Sequence, residues 1–168
     1  MKKELELKLV EKYPKILADY GGDKMLTCMH WGVECGDGWY ELLDKGMEKI
    51  QHICDMTSDN MQLKASQIKE KYGTLRFYYI IENGSEVQNE ILDDLVEIME
   101  LKSSRICENT GKHGEPCVFA GWYKTLCYAE ARKQKYRAVN DSTEAYWKTL
   151  DAKQNPAEET SEDEEIKI

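Results

Sequence analysis

Four groups of residues have the side-chain types that chemistry or recognition uses. In the stretch Cys28-Met29-His30-Trp31-Gly32-Val33-Glu34-Cys35-Gly36-Asp37-Gly38-Trp39, an imidazole and two carboxylates lie close together in sequence. His30, Glu34 and Asp37 are the types that run acid–base or metal-assisted hydrolysis. Such a site also needs a nucleophile, or a metal held by a second group, and the sequence shows neither, so no catalytic residue is assigned. Each of the three also has an ordinary role: Asp37 as the N-cap of the helix that follows, Glu34 as a solvated charge, His30 as a loop residue.

A second set, Cys107, His113, Cys117 and Cys127, offers three thiols and an imidazole, complete in kind for tetrahedral zinc. Its spacing is poor, because zinc knuckles use close cysteine pairs on one tight turn and these stand about ten residues apart. Buried thiols with an exposed His113 are the competing account. The third group is Arg76 with Tyr78 on a predicted strand, with Lys69 and Lys71 on the facing one. A guanidinium among exposed rings suits a phosphate or a nucleobase, through forked hydrogen bonds and stacking. The alternative is a cross-strand pair between Arg76 and Glu70. The fourth, Lys124, Arg132, Lys133, Lys135 and Arg137, reads as a solvated helix face in an acidic chain, so direct nucleic-acid binding is not expected.

These residues need elements to position them. Leu5, Leu9 and Tyr13 recur at helical spacing; Pro14 suits a new first turn, and Ile16, Leu17 and Tyr20 continue the stripe to Gly21-Gly22, which predicts a kinked helix or two short ones. Trp39, Leu43, Met47, Ile50 and Cys54 form one face of a surface helix. Leu75 to Ile81 alternate with period two. Ala65 to Tyr72 alternate less cleanly and slip near Ser66-Gln67, so the two runs read as an antiparallel hairpin turning at Tyr72-Gly73, with a bulge. Ser85 and Gln88 make a capping box for a helix that turns Val87, Ile91, Leu95, Ile98 and Met99 inward. Cys107 to Trp122 reads as a loop. Helical character resumes near Leu126, and Asp141-Ser142-Thr143-Glu144 suggests a fresh cap.

Composition sets the outer bounds. The chain has 168 residues, 41% apolar and 33% charged, the balance of a globular domain able to bury a core. No run approaches the roughly 18 apolar residues of a membrane span, and Met1 to Glu6 carry lysines without an apolar segment behind them, so neither membrane nor secretion is expected. Six cysteines in such a chain should be thiols or metal ligands. Of the net charge of −9, the segment from Asp151 to Ile168 carries −5, seven acids against two lysines, which leaves −4 for the rest. That tail has too few apolar residues to offset its ordering entropy and is expected to be disordered.

The stretch Trp31 to Trp39, the stretch Lys69-Glu70-Lys71-Tyr72-Gly73-Thr74-Leu75-Arg76-Phe77-Tyr78, and Gly121-Trp122 leading to Thr125-Leu126-Cys127 together resemble a group of small uncharacterised proteins encoded by phages and prophages. The resemblance spans roughly Tyr13 to Glu130 and implies a terminal zinc ribbon. On the group's pattern Cys107 and Cys127 match as ligands, whereas Thr110 stands where a second cysteine would be and Glu130 where a histidine would be. The ribbon is thus expected in degenerate form, with no cofactor required and zinc held only if His113 and Cys117 complete the set.

The expected fold is α+β: helices packed on a small antiparallel sheet over residues 1–106, then a degenerate zinc-ribbon-like knuckle and C-terminal helix over 107–150, and an acidic tail over 151–168. The resemblance implies a protein of the infected host's cytoplasm. The expected activity is non-enzymatic counter-defence, sequestering a nucleotide-like immune signal at Arg76, Tyr78, Trp31, Trp39 and Lys71. The rivals are blockade of a host defence protein such as a CRISPR nuclease by the acidic surface, and a small hydrolase using His30, Glu34 and Asp37. A homo-oligomer is compatible with any of these.

Overall fold

The computed structural model describes residues 1–57 and 59–154; the part of the acidic tail beyond Gln154 lies outside the described residues. The first helix, α1 (Lys3–Lys12), ends just before Pro14. Residues 14–20, expected to be helical, form a run of turns that buries Ile16 and Leu17. Pro14 cannot continue a helix, and too little chain remains before Gly21-Gly22 for a new one to nucleate.

The central helix α2 (Tyr40–Asp55) buries Leu42, Leu43, Met47, Ile50 and Cys54, close to the stripe read from the sequence. It packs on a sheet of order β1-β2-β3, made of β1 (Val33–Glu34), β2 (Gln62–Lys71) and β3 (Thr74–Glu82). The hairpin β2–β3 is antiparallel, and its register shifts between Ala65 and Gln67, at the expected bulge. Tyr72 and Gly73 both have positive φ, 54° and 81°, the two-residue turn whose twist matches the flanking strands. The short β1 is parallel to β2, so this sheet is mixed.

Helix α3 (Glu86–Ser103) opens on the Ser85–Gln88 capping box. It runs beside the free edge of β3 and closes it with side chains. Ser103 Oγ accepts the Leu75 N–H at 2.8 Å, Glu100 Oε1 accepts the Phe77 N–H at 2.8 Å, and Asp93 accepts the Tyr79 hydroxyl. These bonds set the helix's rotation. Leu92, Val96, Met99 and Ser103 are buried and Leu95 half-buried, while Val87, Ile91 and Ile98, expected inside, face solvent. The helix carries two apolar stripes, and periodicity alone cannot say which of them the core takes.

Beyond Ile106 a second buried cluster forms from Cys107, Cys117, Leu126, Ala131, Ala138 and Trp147. The segment expected as a loop contains β4 (Glu115–Phe119), which lies between β5 (Trp122–Leu126) and β6 (Arg137–Ala138) in an antiparallel sheet. Two helices complete it, α4 (Tyr128–Lys133) and α5 (Asp141–Gln154). The cap of α5 is Asn140, whose Oδ1 accepts the N–H groups of Ser142 and Thr143 at 3.0 and 3.2 Å. Because α5 reaches Gln154, Asp151 belongs to a helix and not to a tail. Arg132 ties this unit together: its guanidinium lies 3.1 Å from Glu144 and 3.0 Å from Asp151, over the rings of Tyr128 and Trp147. The basic stretch is therefore not a uniformly solvated face.

The protein is thus α+β, with two small sheets, and among the described residues no helix is long and apolar enough to cross a membrane.

Candidate functional site

The glycine- and aromatic-rich stretch does mechanical work. Trp39 is fully buried and its Nε1–H donates to the carbonyl of Ile106 at 2.8 Å, so it is not available to stack on a ligand. Gly38 N–H donates to Glu108 O at 2.7 Å, and Gly36 N–H to Glu108 Oε1 at 3.0 Å. A Cβ added at Gly38 would sit 2.2 Å from Cys107 O, and one at Gly36 2.3 Å from Glu108 O. The two glycines let backbone meet backbone, and Trp39 bolts the contact. The motif is a clasp between the larger core and the second one.

The three residues of the hydrolase expectation go to separate partners. His30 Nδ1 lies 2.6 Å from Gly22 O, and its ring meets Trp31 edge-on. Glu34 accepts the Gln67 amide at 3.2 Å. Asp37 accepts the backbone N–H of Lys2 at 2.7 Å and pairs with that lysine's ammonium at 3.2 Å, contacts that hold its carboxyl below the usual carboxylate range. Asp37 fastens the start of α1 and makes no cap bond to α2, which begins after a short 3-10 turn headed by Gly36.

Sequence reasoning missed Glu108, the carboxylate inside the clasp. It is buried, its Oε2 makes no hydrogen bond among the described residues, and the Lys124 ammonium lies 3.9 Å away. Burial pushes its carboxyl above the usual range; Lys124 opposes the shift and Glu70 reinforces it. A carboxyl raised in the folded state contributes stability that is fully present below its ordinary pKa of 4.5 and lost as pH rises through the folded value. The melting temperature of the wild type should therefore fall relative to Glu108→Gln as pH is raised from 4 to 7, measured by thermal unfolding across that range. A gap that stays constant with pH would refute this account of Glu108.

The knuckle Cys107-Glu108-Asn109-Thr110-Gly111 closes through Gly111 N–H to Cys107 O at 2.9 Å and Cys107 N–H to Lys112 O at 2.7 Å. Burial would raise the Cys107 thiol, but the Thr110 hydroxyl and the backbone N–H groups of Cys127, Thr110 and Asn109 outweigh it and draw the thiol below its ordinary value. Thr110 Oγ1 also reaches Cys127 Sγ at 3.7 Å. Three of the four ribbon positions thus meet, while Glu130 turns to the amides of Asn109 and Gln134 at 2.8 and 2.9 Å. His113 pairs with Glu115 at 2.9 Å, and Cys117 lies within β4, its Sγ 3.1 Å from Glu115 O. Among the described residues no three His, Cys, Asp or Glu side chains form a group that could hold a metal ion. With an alcohol at one position and a carboxylate bound elsewhere, the ribbon donors as arranged do not fit tetrahedral zinc.

The outward side of the first sheet carries Lys69, Lys71, Arg76 and Tyr78, whereas Trp31 belongs to a turn outside the sheet. Lys69 stands directly opposite Arg76 in the register, with Gln67 opposite Tyr78 and Lys71 opposite Thr74. The ammonium of Lys69 lies over the Tyr78 ring at 5.6 Å, and that of Lys71 over Tyr72 at 5.6 Å. Arg76 does not pair with Glu70, whose Oε1 instead accepts the Gly73 N–H at 2.6 Å. Its Nη1 donates to Thr74 Oγ1 and Leu75 O, both at 2.8 Å, and lies 3.5 Å from Glu100 on α3. Trp31 is 65% exposed on a turn packed against β2. No family model matches the chain, and neither curated proteins nor solved structures yield a match.

Proposed function

We propose that the protein is a non-enzymatic binding protein that sequesters an anionic, ring-bearing ligand of nucleotide type on the outward face of the first sheet. The observation that carries it is the direct cross-strand opposition of Lys69 and Arg76. Like charges facing each other across a sheet destabilise it. With Glu100 reaching Arg76 from the α3 side at 3.5 Å, two cations in register suit an anion that completes their neutralisation. Tyr78, 41% exposed beside them, supplies a ring face on which a base can stack. Glu100 and Thr74 hold the guanidinium through Nη1, which orients it before a ligand arrives. The resemblance to phage-borne proteins makes counter-defence the setting, with removal of an immune signal as the effect.

Calorimetric titration with mononucleotides and cyclic dinucleotides tests the proposal. At least one should bind with unit stoichiometry, and Arg76→Ala or Lys69→Ala should weaken it about 10- to 100-fold, the loss of a hydrogen bond to a charged group. Both variants should keep the wild-type stability to within about 1 kcal/mol, because the pairs they break are partly exposed. Absence of binding across the panel at millimolar ligand, or an Arg76→Ala variant that binds as the wild type does, would overturn it.

A further inference from the structure

Helix α3 carries an apolar stripe that the core does not use. Val87, Ile91, Ile98 and Leu101 are 65, 47, 47 and 63% exposed. With Asp94 between them they follow alternating spacings of four and three, the seam by which one helix packs along another. Leu92, Val96, Met99 and Ser103 point the other way, into the protein. Along one flank of the stripe α2 and α3 enclose an apolar groove of about 720 Å³, floored by Ile53, Ile91, Leu95 and Ile98. Along the other flank run Glu86, Glu90, Asp93 and Glu97, at the same alternating spacing and one residue out of step with the seam.

Charge selects the occupant. Helix α3 holds six acids against one lysine. A second copy docked antiparallel through the same face would set each acidic row against its own equivalent, like charge on like. A helix laid along the exposed stripe covers the groove with its apolar flank, beside Lys49 and His52 of α2. Lysines or arginines on its opposite edge meet the acid row with opposite charge. We propose that the α2–α3 groove, with the exposed stripe of α3, docks a basic amphipathic helix of a partner protein. The surface is separate from the cationic sheet face and does not depend on the ligand proposed there. From Val87 to Leu101 the seam is about 20 Å long, matched by roughly 14 residues of partner helix.

The test uses a fluorescein-labelled synthetic peptide of about 18 residues, apolar at heptad spacing and lysine-rich on one edge, and a twin with glutamate in place of lysine. The lysine peptide should bind saturably to the full chain by fluorescence anisotropy and gain helicity in circular dichroism. Its affinity should weaken several-fold as salt is raised from about 50 to 300 mM. Amide shifts in the labelled protein should map to α2 and α3. The double variant Glu90→Lys with Glu97→Lys, both residues on the surface, should reverse the preference toward the glutamate peptide while melting as the wild type does. Failure of the lysine peptide to saturate at millimolar protein, equal binding of the two peptides, or shifts confined to other elements would overturn the proposal. So would a concentration-dependent dimer with the stripe protected, since a second copy would then be the occupant.

Discussion

Gly38→Ala should uncouple the two cores at a cost of about 2–4 kcal/mol, the sum of overpacking and a lost backbone hydrogen bond. The added methyl would fall 2.2 Å from Cys107 O and 2.4 Å from Gly111 N, both backbone atoms of the knuckle. Neither can move without opening the Gly38–Glu108 bond and the turn that holds Cys107. Gly46→Ala is the control. Its methyl would also come within 2.2 Å of a neighbour, but that neighbour is the flexible end of Met99, and alanine is favoured over glycine inside a helix by about 1 kcal/mol. Urea unfolding of the two variants should show a large loss for the first and a small change for the second. Calorimetry of Gly38→Ala should split the melting of the smaller unit from that of the larger. Equal losses in the two variants would dismiss the clasp.

Arg132→Ala should cost about 2–3 kcal/mol, at or below the low end of the range for a broken buried pair, because the guanidinium and Asp151 keep solvent contact. The side chains of Arg132 and Glu144 are 24% and 13% exposed, and Glu144 also accepts the Ala138 N–H at 2.9 Å. Losing the arginine leaves that carboxylate partly buried with a single donor, and strips the cation from the rings of Tyr128 and Trp147. Arg132→Lys should recover less than half of the loss, because an ammonium cannot fork to Glu144 and Asp151 together. Amide exchange along α5 reads both variants. If α5 stays as protected in Arg132→Ala as in the wild type, Arg132 is not what holds that helix.

Elements with one unambiguous period were legible in the sequence. The face of α2, the hairpin with its bulge at Ser66 and the capping box at Ser85 each rest on local chemistry that the rest of the fold does not override. What escaped was set by contacts distant in sequence. The rotation of α3 follows from Leu75 and Phe77, whose amides need acceptors that Glu100 and Ser103 supply. Trp39 and Asp37 are chemically suited to stacking and to capping, yet their partners, Ile106 and Lys2, lie 67 and 35 residues away. Of the candidate site, Arg76 and Tyr78 could be placed from alternation along β3, and Lys71 from its place beside the turn on β2. The opposition of Lys69 to Arg76 follows from the two-residue turn at Tyr72-Gly73, because the bulge changes the pairing only beyond Gln67.

The closed edge of β3 governs how the protein behaves among many copies of itself. A sheet edge recruits strands from other chains by offering unpaired amides in a row. Here the amides of Leu75 and Phe77 are already occupied, and a foreign strand can pair with that stretch only after α3 has peeled away. Strand addition along the Leu75–Phe77 stretch therefore has to wait on the detachment of an 18-residue helix, so this part of the first sheet is kept from templating its own extension.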